Sequence, residues 1–140
     1  MESAADLEAC FLVRKEVFVA EQGVPEELEY DAYDSSAVHV LAVGPDGALG
    51  TGRLVVGAEG YGDSVGKLGR LAVRSAARGL GVGVALVRGL EAEAARLGCA
   101  EVVLGAQTHA LRFYERLGYV AYGPEFDDAG IAHRAMRRSV

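Results

Sequence analysis

The tightest constraint on this chain lies in "RLAVRSAARGLGVGVALVRGL", Arg70 to Leu90. A short apolar run, Leu71-Ala72-Val73, gives way to a basic segment with Arg74 and Arg78. Gly79, Gly81 and Gly83 follow, and then an apolar pattern of helical period. Glycine is worse than alanine inside a helix by about 1 kcal/mol. Three of them around a helix start therefore answer a demand of backbone geometry or of close approach. The stretch reads as strand, turn, helix. The first amides of a helix lack intrahelical partners, and that end carries the positive pole of the helix dipole. Without Cβ atoms in the way, a bulky anion can reach those amides, and Arg74 and Arg78 would add charge beside them. A tight turn with close helix–sheet packing would ask for the same residues, and the glycines alone leave both readings open.

The surroundings sort the anions. A nucleotide phosphate loop needs Lys and Ser/Thr after its last glycine, and Val84-Ala85 stand there. A dinucleotide fold asks for G-x-G-x-x-G with an acid at the end of the next strand. This chain has G-x-G-x-G, and the next apolar run ends "VVLGAQ".

With 140 residues and a hydrophobic fraction of 51%, the chain is expected to form a single domain, residues 1–140, around one core. No apolar run approaches a membrane span and "MESAADLEAC" lacks signal-peptide character, so a cytoplasmic protein is expected, with no membrane partner. Cys10 and Cys99 are far apart and without metal-site spacing. They read as reduced, buried small hydrophobes, and no metal is expected.

The formal net charge of −6 is unevenly spread: residues 1–66 hold 3 Lys/Arg against 13 Asp/Glu, and residues 67–140 hold 11 against 7. Seven of the acids fall between Glu16 and Asp34, where there is no Lys or Arg. Such a balance argues against nucleic acid as a partner. It would suit a cationic small molecule on the acidic half and an anionic one on the basic half, although a solvated acidic face is the simpler reading.

Residues 4–20 read as a first helix, with Ser3 and Asp6 as a capping box. An acidic connector follows "GVPEE". "VHVLAV" and "ALGTGRLVV" flank "GPDG" as a hairpin, and a glycine-rich loop leads to a strand at about Lys67–Val73. The next helix, about Val82–Leu97, is expected to bury Val82, Ala85, Leu86, Leu90, Ala94 and Leu97 and to stop at Gly98. "EVVLGA" is a strand, "HALRFYERLG" a short helix, and "YVAYG" and "AHRAMRR" are strands. Together these give a mixed α/β sheet in one layered domain.

The spacing Arg78-x-x-Gly81-x-Gly83, after a Leu-x-Val strand and opening a helix, resembles the acyl-CoA-binding motif of the GNAT N-acetyltransferases. "RKEVFVAEQGVPEELEYD", "GAQTHALRFYERLGY" and "FDDAGIAHRAM" resemble its ElaA/YjcF-like branch, so the likeness runs along nearly the whole chain. It implies the acyl-CoA N-acyltransferase fold, here with the strand that usually precedes the first helix missing or truncated, which would leave a sheet edge unpaired. It implies acetyl-CoA as co-substrate, held by the amides of Leu80, Gly81, Val82, Gly83 and Val84 with Arg78 and Gly79, and by the backbone of Leu71, Ala72 and Val73. It implies a small-molecule or peptide amine as acceptor, cationic by the charge argument, and allows a homodimer.

In that family the position of Tyr114 points at the coenzyme sulfur. A phenol, with a pKa near ~10, is protonated at neutral pH and can donate to a leaving thiolate. The usual base is a glutamate on the fourth strand, and Gly69 stands in its place. Glu21 and Glu27 are substitutes. His39 and His133 carry imidazole, the side chain suited to proton transfer near neutrality, though a lone strand histidine is more often structural, and His109 would open its helix. A non-catalytic acyl-CoA-binding module on the same fold is the alternative that Gly69 keeps in view.

Overall fold

A computed structural model of the chain describes residues 4–23, 34, 36–45, 47–58, 61, 62, 64–128 and 130–140. The expected Ser3 cap, the connector around Glu27 and Asp46 of the "GPDG" turn lie outside the described residues. Helix α1 (Ala4–Arg14) continues as a π-helical segment, Lys15–Glu21. Strands β1 (Val38–Gly44), β2 (Gly47–Val56) and β3 (Val65–Val73) follow. After a 3₁₀ turn at Ser75–Ala77 come α2 (Val82–Arg96) and β4 (Glu101–Gln107). A second 3₁₀ turn, Thr108–Ala110, leads to α3 (Leu111–Arg116), and β5 (Val120–Asp128) and β6 (Ile131–Ser139) close the chain. The six strands form one sheet in the order β1-β2-β3-β4-β6-β5. Every neighbouring pair is antiparallel except β3–β4, which the crossover helix α2 makes parallel. Among the described residues no strand precedes α1, and β1 pairs on one side only.

Alternation along β2 separates the two helical layers. Gly50, Gly52 and Leu54 face α2. A Cβ at Gly52 would lie 2.7 Å from Leu90 Cδ1, and one at Gly50 would lie 3.0 Å from Leu86 Cδ1. The glycines of "ALGTGRLVV" thus let α2 lie directly on the sheet, a role the hairpin reading did not assign. Thr51 and Arg53 point to the α1 side. There Arg14 donates to Asp34 at 2.7 Å and Arg53 to the same carboxylate at 3.0 Å, while the His39 ring bonds the Asp34 carbonyl oxygen at 2.9 Å. His39 is therefore structural.

The main core lies between α2 and the sheet and includes Leu54, Leu68, Leu90, Val102 and Met136. Cys10 and Cys99 are both buried thiols, as expected. The buried face of α2 differs from expectation: Val82, Leu86, Val87, Leu90, Glu91 and Ala94 are buried, whereas Ala85 and Leu97 are exposed. Leu97 lies past the last turn, and Ala85 falls outside the buried stripe, which instead extends through Val87 and Glu91. On that side Glu91 accepts from Tyr119 Oη at 2.7 Å, Arg88 Nη1 at 2.7 Å and Arg138 Nη1 at 3.2 Å. A buried carboxylate is tolerable only when bonded in this way.

Replacing it tests the assignment. Glu91→Leu strips the buried Tyr119 hydroxyl of its acceptor and should lower stability by about 1–3 kcal/mol. Glu91→Gln, which keeps an acceptor for Tyr119, should lose less. Urea unfolding midpoints of the two variants against the parent measure the difference.

Candidate active site

The parallel pair is short. Val65, Gly66 and Lys67 pair with Glu101, Val102 and Val103, and beyond them β3 and β4 diverge. The cause sits on the other edge of β3. Its pairing with β2 slips between Thr51 and Arg53, and Arg70, inside the slip, has φ +50°. A bulge bends its strand and increases the local twist. A positive φ in a side-chain-bearing residue costs on the order of 1–3 kcal/mol, and such strain gathers at functional sites. A cavity of about 370 Å³ fills the opening. Leu68 and Leu71 line one wall, Leu104 and Gln107 the other, and Tyr114 and His133 also face into it.

The open edge of β3 carries backbone groups toward the gap. Arg74 N–H donates to Leu49 O at 2.8 Å, so alternation turns the N–H and C=O of Val73, and two residues back of Leu71, away from β2. The Val73 carbonyl already accepts from Arg78 Nε at 3.0 Å on that side. Leu71 and Val73 can therefore pair with an extended amide-bearing chain as another strand would, while Ala72 is buried beneath them.

The same edge runs into the start of α2. Gly79 and Gly81 have φ +83° and +81°, and no atom would crowd a Cβ at either. They are glycine for backbone conformation. Gly83 has another reason: its Cβ would sit 3.1 Å from Phe113 Cζ, so it lets the first turn of α2 rest on α3. Gly81 caps the helix without a side chain, and the first intrahelical bond runs from Ala85 N to Gly81 O at 3.1 Å. The amides of Val82, Gly83 and Val84 are thus left without an intrahelical acceptor, with exposed Gly79 and Leu80 before them.

Arg78 bonds Glu21 at 2.8 Å and Arg74 bonds Glu16 at 2.9 Å. The π-helical segment makes both pairs possible, because an i→i+5 helix brings residues five apart toward one face. All four side chains are about one-third to one-half exposed, where ion pairs contribute at most about 1 kcal/mol and are readily exchanged for a stronger anion. Asp34 is shared by Arg14 and Arg53, so the described acids of the 16–34 segment all have arginine partners. Glu21 therefore belongs to the helix-α2 cradle rather than to the cavity wall; Glu27 lies outside the described residues. Gly69 lines the cavity, and nothing lies within 4 Å of where its Cβ would be.

Tyr114 is buried, with edge-to-face contacts to Phe113 at 5.0 Å and Tyr119 at 5.9 Å. Burial pushes its phenol above the ordinary tyrosine range, so the hydroxyl stays protonated at neutral pH. Burial also raises Tyr119, helped by its bond to Glu91. His133 lines the cavity opposite, and Phe126 and Asp128 of β5 reach it as well. The sequence reading did not place these last two. Both lie in "FDDAGIAHRAM", and the resemblance of that segment was the signal available for them. His109 lies exposed in the 3₁₀ turn before α3. No cluster of His, Cys, Asp or Glu among the described residues has metal-binding geometry, and no described helix is long and apolar enough to cross a membrane.

The acetyltransferase (GNAT) domain family matches residues 4–140. The chain is 40% identical over 133 residues to the uncharacterized N-acetyltransferase YjcF of Bacillus subtilis, covering 94% of this chain and 91% of YjcF. It is 30% identical over 140 residues to protein ElaA of Escherichia coli, covering 99% and 90%. Among solved structures, an acyl-CoA N-acyltransferase from Pseudomonas aeruginosa superposes with a TM-score of 0.84 at 33% identity, covering 98% of this chain and 92% of that one.

The raised phenols have a consequence for stability. In the folded chain Tyr114 and Tyr119 hold protons that the unfolded chain releases near pH ~10. Their contribution is complete below that pH and is lost as pH rises through and beyond it. The urea midpoint should therefore fall between about pH 9 and about pH 11, less steeply in Tyr114→Phe. Phenolate absorbance should show the two buried rings ionising only with unfolding.

Proposed function

The chain belongs to the GNAT acetyltransferase family, and from that premise we propose that it transfers the acetyl group of acetyl-CoA to a primary amine of a small molecule or peptide. The observation that carries this reading is the continuity of one edge. The bare amides at the start of α2, the backbone of Leu71 and Val73 that β2 does not pair and the Tyr114-lined cavity follow one another along the carboxyl end of β3. A coenzyme has those parts in that order: a diphosphate, an amide-bearing arm and a thioester.

On this reading the amides of Leu80 to Val84, with Arg78, hold the diphosphate through the helix dipole and direct hydrogen bonds. Arg74 and Arg78 exchange Glu16 and Glu21 for phosphate oxygens. Leu71 and Val73 pair with the amides of the arm, which explains why "LAV" carries no polar side chain. A β3 amide facing the gap polarises the thioester carbonyl, a kind of contact worth about 2.7–4 kcal/mol of barrier in enzymes that use it. The amine nitrogen bonds to the acetyl carbon, the carbon–sulfur bond breaks, and Tyr114 donates to the sulfur as negative charge develops there. The protonated state enforced by burial suits that donation.

The competing assignment, a module that binds acyl-CoA without turning it over, is favoured by the absence of a carboxylate at Gly69. Calorimetric titration and a thiol-release assay separate the two. Acetyl-CoA should bind in the micromolar range, more weakly at higher salt, and Gly81→Glu should abolish binding by forcing a charged side chain onto a left-handed residue beside the diphosphate. With a panel of primary amines, thiol release should fall roughly 10²-fold in Tyr114→Phe while acetyl-CoA affinity stays within a few-fold. Binding without thiol release would establish the non-catalytic module instead.

A further inference from the structure

We propose that His133 is the general base of this site, taking the proton from the attacking amine on Nε2. The assignment rests on the acetyl-transfer reading above and supplies the group that Gly69 leaves out.

Elimination among the groups that line the cavity comes first. Arg53 on β2 and Lys67 and Arg70 on β3 are cations and donors. Tyr114 is held protonated. Gln107 donates its amide to Gln22 at 2.8 Å, and neither amide is a base. Asp128 of β5 and His133 of β6 remain, and of these Asp128 is exposed while His133 is buried, with 8% of its surface accessible.

The hydrogen bonding of His133 then decides its state. Nδ1 lies 2.7 Å from the carbonyl oxygen of Ile131. A carbonyl oxygen only accepts, so Nδ1 carries the proton and the neutral ring keeps its lone pair on Nε2. Nε2 bonds to no described residue. The ring is held from two further sides: it stacks on Phe126 at 5.7 Å with an interplanar angle of 26°, and its backbone pairs with Gln107, the last residue of β4, at the mouth of the opening. The imidazole is thus a base in one tautomer and one orientation, on a wall of the cavity that Tyr114 shares. Imidazole is also the side chain whose ordinary charge change falls between about pH 5 and 8, where an amine must be deprotonated to react.

The proton count closes. Nε2 first takes a proton from the bound ammonium and passes it to solvent, which frees the nitrogen lone pair for attack. As the nitrogen–carbon bond forms and the carbon–sulfur bond breaks, Tyr114 gives its proton to sulfur, and the second proton, shed by nitrogen as the amide forms, returns to the phenolate through water in the cavity. An ammonium ion and a thioester thus become an amide, a thiol and one proton released to solvent, and both residues are reset; an amine that arrives neutral skips the first step.

The test uses the full chain and two variants. His133→Asn keeps a side-chain N–H where Nδ1–H meets Ile131. His133→Gln fills the length of the ring with an amide that cannot take a proton, and it carries the test if the Asn variant does not fold by circular dichroism. Acetyl-CoA affinity is measured by calorimetry, and thiol release is followed from about pH 5 to about pH 9 with butylamine and spermidine, which are protonated near neutrality, and with hydroxylamine, which is largely neutral there. The expected result near pH 7 is a fall of roughly 10²-fold in kcat/KM for the protonated amines, with acetyl-CoA affinity within about twofold. The acid limb of the wild-type profile should give way to a steady rise as solvent deprotonates the amine, and hydroxylamine should recover most of the loss. A variant with the wild-type rate and profile overturns the assignment of the base alone, as does an equal loss with all three nucleophiles. A wild-type chain that binds acetyl-CoA and releases no thiol with any of the amines overturns the acetyl-transfer reading and the base together.

Discussion

The divergence of β3 and β4 after three parallel pairs is the constraint on which everything else in this molecule depends. A parallel pair needs a crossover, and a crossover helix starts at the carboxyl end of the strand before it. The positive end of α2 therefore sits at the same end of β3 as the opening. Had the two strands stayed paired to Val73, the backbone of Leu71 and Val73 would have bonded to β4, and no cavity would have formed. The bulge at Arg70 prevents this by bending β3 away, at the expense of one strained residue. The topology brings the bare amides at the start of α2 and the cavity to one edge, and the bulge opens that edge.

Charge distribution along the chain makes sense once the fold is known. The acidic first half and basic second half need not mark surfaces for oppositely charged ligands, because the described acids of residues 16–34 meet arginines within the chain: Glu16 with Arg74, Glu21 with Arg78, and Asp34 with Arg14 and Arg53. Two of these bridges tie the π-helical segment to the loop before α2. They are exposed and weak individually, which suits groups whose partners change when an anion arrives. The Asp34 cluster is of the other kind. It is enclosed, with one carboxylate between two guanidinium groups, and it fixes the end of α1 against β2.

The elements were legible in the sequence because their signals are local. The period of α2, its stop at Gly98, the hairpin around "GPDG" and the strand–turn–helix of "RLAVRSAARGLGVG" follow from residue spacing and turn chemistry. Gly79 and Gly81 matched the expectation of a bare helix start, while Gly83 turned out to answer to Phe113 as well, a contact 30 residues away that no local pattern records. The same limit accounts for the α2 face. Ala85 was expected inside, and Glu91 was not among the residues expected to be buried. The hydroxyl of Tyr119 and the guanidinium of Arg138 allow its burial by supplying bonds from distant parts of the chain.

His133 illustrates what a sequence can carry without revealing. A histidine in a strand is ordinarily one more polar side chain on an alternating pattern, and spacing alone gives no reason to prefer it over Glu21. Its chemistry is decided by the carbonyl two residues back, which fixes the tautomer, by the Phe126 ring, which fixes the plane, and by the register with Gln107, which fixes the height along the opening. The last two are consequences of β6 inserting between β4 and β5, so that β6, rather than β3, brings a basic nitrogen to the cavity. The empty space at Gly69 fits the same logic. A carboxylate on β3 would stand beside Arg53, Lys67 and Arg70, which line the same cavity, and would be drawn into ion pairs with them. A neutral imidazole on the opposite wall accepts a proton without competing for those cations.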